Sequence, residues 1–189
     1  MRFLLTLLVL GYGIAASAQT FTIPHPTGAI TCGSAAGVTC TDYGGIAVIT
    51  VASTGCIAAA VTCDFTLATL PAKVRVTTVV ATVTTTFACT ATCTTATLSA
   101  TVGKTAGGNE YLLSFDLDAA VATFGDAGTE TGTSLAATGV FLGGDILPFD
   151  ATTTFQTRVT SAAGNLGDGA ATNLSQGSLT VYLEYTLFP

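Results

Sequence analysis

The chain has no tryptophan and, in 189 residues, one methionine and one histidine. That histidine, His25, lies between Pro24 and Pro26. A Ser-His-acid nucleophile needs an imidazole held on a rigid scaffold, which a proline-flanked residue near the N-terminus does not provide. Enclosed sugar sites usually rely on stacking aromatics, and the largest of these is missing. Charge is scarce too: 8% of residues are Asp, Glu, Lys or Arg, against about 25% in an average soluble domain. The formal net charge is -6. Apart from Arg2, the cations are Lys73, Arg75, Lys104 and Arg158. Four scattered cations make no phosphate-neutralising track, so nucleic acid is not an expected partner. So few charges cannot cover a surface. Thr, Ser, Gly and Asn must do so, or part of the outside is buried against other chains.

What the chain does have begins with a leader. "MRFLLTLLVLGYGIAASAQT" carries a basic start at Arg2, an apolar run from Phe3 to Leu10 and the small-residue pattern Ala16-Ser17-Ala18. Residues 1–18 therefore read as a signal peptide. The apolar run is short of the roughly 20 residues that cross a bilayer, and an uncleaved leader would be the only membrane contact expected. Residues 19–45 are rich in Gly, Pro and Ser without sustained periodicity, and read as an extended arm or loop. Residues 46–189 make one folded domain, in keeping with the usual domain size.

All six cysteines, Cys32, Cys40, Cys56, Cys63, Cys89 and Cys93, lie in the N-terminal half. An even count in an exported chain favours disulfides, although sequence leaves their connectivity open. Proximity makes 32 with 40, 56 with 63 and 89 with 93 the first choice. Four residues along a straight strand span about 13 Å, beyond disulfide reach, so "CTATC" must turn if Cys89 and Cys93 pair. A metal site is the sharper alternative, but this spacing departs from that of zinc knuckles. No metal or cofactor is expected.

The body reads as strands. "IAVITVAS" from Ile46, "VTCDFTLATL" from Val61 and "KVRVTTVVATVTTTF" from Lys73 are rich in β-branched residues and lack helix caps. "TATLSATVG" to Gly103, "EYLLSFD" from Glu110, "LAATGVFL" from Leu135, "TTTFQTRVTS" from Thr152 and the segment from Ser178 bring the number to eight. In the last, Leu179, Val181, Leu183, Tyr185 and Leu187 alternate inward, while Tyr182 and Phe188 fall on the outer face as possible interface residues. "DLDAAVATFG", Asp116 to Gly125, allows one short helix. With no helix-strand alternation, the expected fold is all-β: an antiparallel β-sandwich of about eight strands, jelly-roll-like. By composition alone the Thr-rich run also suits a glycosylated stalk, but its retained Val, Leu and Phe favour strand.

Chemistry is thin. Asp116 with Asp118, and Asp145 with Asp150, are carboxylate pairs of the kind that cut glycosidic bonds, yet they sit at a helix start and in a loop. "GGNE", "GGD" and "GDGA" complete neither a phosphate nor a calcium loop. "NLS" at Asn173 to Ser175 fits the glycosylation acceptor pattern. No catalytic residue is expected.

From Ile46 to Pro189 the chain resembles a pattern found in bacteriophage and prophage virion proteins. The residues that carry it are an apolar strand ending in "LPA" (Leu70 to Ala72), a long strand, a Phe-Ala loop opening at Phe87, "TVG" (Thr101 to Gly103), the group "EYLLSFD", and the closing "GSLTVYLEYTLFP". The resemblance implies a non-enzymatic β-sandwich component of a virion: a capsid decoration, head-fibre or tail-associated protein. It implies a homo-oligomer, a trimer or larger, with other virion proteins as partners. The leader and the cysteines favour the alternative of a secreted cell-surface or filament subunit or adhesin. Either way the expected location is a virion or the cell exterior.

Overall fold

The computed structural model describes residues 30–90, 92–95, 98–118 and 148–189. Among them are nine strands: β1 (Thr31–Cys32), β2 (Val38–Asp42), β3 (Ile46–Ala52), β4 (Thr62–Leu70), β5 (Val74–Cys89), β6 (Leu98–Gly103), β7 (Leu112–Asp116), β8 (Thr153–Ser161) and β9 (Leu174–Leu187). One 3-10 turn, Ser53–Gly55, follows β3. They form a five-stranded sheet, β1-β4-β8-β6-β7, and a four-stranded sheet, β2-β3-β9-β5. Every paired strand is antiparallel. The late strands fill gaps left by the early ones, β8 between β4 and β6 and β9 between β3 and β5. The fold is an all-β antiparallel sandwich of two sheets.

Alternation decides which side of each strand is covered. On β3, Ala47, Ile49 and Val51 are fully buried, and on β9 so are Leu179, Val181 and Leu183. From the other sheet Phe65, Leu67, Leu98, Val102, Phe155 and Val159 join the same core. Period-two sequences therefore give two sheets, each with one apolar side, and packing those sides together removes them from water. Leu187 departs from the expected inward row. It is 37% exposed, because its partner Val74 is the first residue of β5 and the sheet ends there.

The arm expected over residues 19–45 needs correction at its C-terminal end. Residues 31–32 pair with β4, and residues 38–42 form a hairpin with β3. The hairpin turns at Gly44 and Gly45, whose φ values of 76° and 98° suit glycine. The expected leader, the expected strand from Leu135 and most of the Asp116–Gly125 segment lie outside the described residues. Among the described residues no helix is long and apolar enough to cross a membrane.

The bridges are Cys32–Cys40, Cys56–Cys63 and Cys89–Cys93. The last is possible because Cys89 ends β5 and Cys93 lies in a bend, with Cα atoms 5.4 Å apart. All six thiols are used, so none is left as a thiolate for metal. Three intrachain disulfides fit an oxidising, extracellular environment.

Candidate interaction face

The two outward faces of the sandwich differ in character. On the five-stranded sheet, cross-strand neighbours are polar: Asp64 with Arg158, Thr66 with Gln156, Ser99 with Thr160, and Thr101 with Arg158. Arg158 donates through Nε and Nη2 to the two oxygens of Asp64 at 2.6 and 2.8 Å. Gln156 Nε2 donates to Thr154 Oγ1. Such a surface is well solvated and needs no covering partner.

The four-stranded sheet presents rows set by its register. Thr39, Thr50, Thr180 and Thr82 make one row; Thr41, Val48, Tyr182 and Val80 the next; Ile46, Glu184 and Thr78 the third; Thr186 and Arg75 the fourth. The threonine row is tight, with Thr50 Oγ1 3.3 Å from Thr180 Oγ1, and Thr180 and Thr82 are buried by their neighbours. The rows beyond it are apolar with a charged end. A hollow of about 400 Å³ lies there, lined by Ile46, Thr78, Val80, Tyr182 and Glu184. Ile46 is 49% exposed.

The charged end is built by an irregularity. The register skips from Val76 opposite Tyr185 to Thr78 opposite Glu184, so Thr77 is an extra residue in β5. Such a bulge re-aims the side chains beyond it. Arg75 consequently faces outward beside β9, with its guanidinium carbon 5.6 Å from the centroid of the Phe188 ring, a cation-π distance. Phe188 is fixed by its N–H, which donates to the Lys73 carbonyl at 2.9 Å. Both outer-face residues expected from the sequence, Tyr182 and Phe188, therefore belong to this surface. Ile46 and Arg75 belong to it as well. Sequence alone does not single them out, since only the cross-strand register brings them beside Glu184.

A second hollow, of about 480 Å³, lies at the same end of the sandwich between the β4–β5 turn and the C-terminus, with Phe149 and Phe188 in its walls. Lys104 Nζ sits over Phe149 and Tyr111, 5.0 and 5.6 Å from the ring centroids.

The remaining residues considered for chemistry have local roles. Asp116 Oδ1 accepts the Asp118 N–H at 3.0 Å. Asp145 lies outside the described residues, and Asp150 lies in a bend before β8. The Asn173 amide, the glycosylation acceptor by pattern, donates to the Asn165 carbonyl at 3.0 Å, while the Asn173 carbonyl accepts from the Thr90 N–H and hydroxyl. Asn173 thus ties the loop before β9 to the end of β5. Among the described residues no three His, Cys, Asp or Glu side chains gather as metal ligands. No protein-family model, curated protein or solved structure matches the chain.

Proposed function

We propose that the protein is a non-enzymatic structural subunit of a virus particle, a capsid decoration, head-fibre or tail-associated component, that works by self-association. The observation carrying this reading is the contrast between the two outer faces: one is polar and internally paired, the other apolar around Ile46, Val48, Val80 and Tyr182. A soluble monomer gains nothing by leaving such residues together on one surface, whereas an assembly covers them. The sandwich fold supports the reading, since jelly rolls recur in capsid proteins. So does the resemblance of residues 46–189 to virion proteins. In this role function is geometry: a rigid block whose flat faces meet other copies. The three disulfides also favour a second reading, a secreted surface or filament subunit.

Size-exclusion chromatography with light scattering on the oxidised protein is expected to give a trimer or larger species. A clean monomer at micromolar concentration would reject self-association, and with it both readings. Electron microscopy with a labelled antibody separates the two: label on phage particles supports the first, label on the cell surface or on filaments the second.

A further inference from the structure

Building on the self-assembly reading, we propose that the outer face of the four-stranded sheet docks against the same face of a second copy. The two are related by a two-fold axis parallel to the sheets, so that Arg75 of each copy meets Glu184 of the other.

Charge is the first argument. Among the outward-facing residues of these strands, Glu184 and Arg75 are the charged ones, and they cancel; Asp42 of β2 is turned to the Tyr185 hydroxyl instead. The whole chain carries -6, so two copies repel in most orientations. Approach through a locally neutral face avoids most of that repulsion. A face bearing one acid and one base is also self-complementary under a two-fold operation, which sets each residue against its opposite. The hollow beside Glu184 is walled by Ile46, Tyr182 and Val80. It suits a cation on an aliphatic stem, which is what a second Arg75 supplies.

The register supplies the second argument. Arg75 lies one strand over from Glu184 and two residues further along, next to Thr186. With strands about 4.8 Å apart and residues about 3.4 Å apart, the two are about 8 Å from each other. Placing Glu184 over the mate's Arg75 fixes the two-fold axis. On the same lattice that axis brings Ile46 within about 4 Å of the mate's Phe188. These are two of the chain's exposed large apolar residues, at 49% and 36%. One operation thus pairs the charges and covers both, while Tyr182, Val48 and Val80 fall beyond the mate's β5 and are left for a further neighbour in the assembly.

In an assembly this contact acts as one of several, where linked contacts reinforce each other.

Sedimentation equilibrium over a concentration series tests this on the purified, oxidised protein. Glu184→Arg and Arg75→Glu should each weaken self-association by about tenfold or more, and the double exchange should restore it, as expected of a charge pair formed between copies. Ile46→Gln, which leaves both charges in place, should weaken it as well, and thermal melts confirm that each variant is folded. If the wild type associates but the exchanges and Ile46→Gln change nothing, the face is hydrated or serves another partner and the proposal falls, while the self-assembly reading stands. If the single exchanges weaken association and the double does not recover it, the two-fold pairing is overturned. If the wild type stays monomeric throughout, both fall.

Discussion

Tyr185 is nearly fully buried although it carries a hydroxyl, and that hydroxyl donates to Asp42 Oδ1 at 2.7 Å. The same oxygen accepts the Gly44 N–H at 2.9 Å, so one carboxylate holds both the β2–β3 turn and the central strand β9. Burial, followed by the hydrogen bond to Asp42, pushes the phenol pKa up from 10.0 to about 12. The folded state therefore holds this proton more tightly than the unfolded chain does. The resulting stability is fully present below pH 10 and is lost as pH rises toward 12. Tyr185→Phe should cost about 1 kcal/mol at neutral pH, the usual worth of one hydrogen bond, and should flatten the alkaline decline. Urea unfolding from neutral pH to pH 12 checks this; an equally steep decline in the variant would place the effect elsewhere. By contrast, the Arg158–Asp64 pair is half-exposed on the polar face, where such pairs contribute about 1 kcal/mol at most.

At the scale of elements, β9 is the keystone, paired with β3 on one side and β5 on the other along most of its length. Its weak point is Gly177, at φ 149°, where an added Cβ would penetrate the ring of Phe87. Phe87 is fully buried and cannot swing away. Gly177→Ala is therefore expected to destabilise the fold by about 2 kcal/mol or more, through backbone strain together with overpacking. Equilibrium denaturation measures it, and a loss within a few tenths of a kcal/mol would show that β5 yields. Strands such as β3 and β9 are legible in the sequence because alternation of Ile49, Val51 and Leu179, Val181, Leu183 is a local signal. β1 and β2 are not, because "CGSAAGVTCTD" offers only Val38 and Cys40 as an apolar period, too short to stand out; partner strands and the Cys32–Cys40 bridge hold them instead. The face is half legible for a related reason. Parity along one strand places Tyr182 and Phe188 outward, but the neighbours across strands depend on the extra residue Thr77, and a one-residue slip would turn Arg75 to the other side.

For the whole molecule, the decisive feature is where the disulfides lie. Cys32 and Cys40 join β1 of one sheet to β2 of the other. Cys56 and Cys63 close the passage from β3 to β4, and Cys89–Cys93 lies on the passage from β5 to β6. Each bridge thus staples a crossing between sheets, the places where no ladder of backbone hydrogen bonds ties the chain down. With separations of 8, 7 and 4 residues, loop-closure entropy assigns about 2 kcal/mol to each. Together that is about 6 kcal/mol, a large part of the roughly 5 to 15 kcal/mol that holds a domain folded. Reduction should therefore lower the melting temperature by about 10 to 25 °C for a domain of this size. Calorimetry with and without reductant, with mass spectrometry to confirm six free thiols, checks it; an unchanged melt of the fully reduced protein would mean the core alone holds the crossings. Two of the bridges lie at or just beyond the C-terminal ends of β3 and β5, whereas Ile46 and Arg75 lie at the N-terminal ends of those strands. Partial reduction should accordingly open the stapled end first and leave the Arg75–Glu184 face in place, so that stability drops before self-association does.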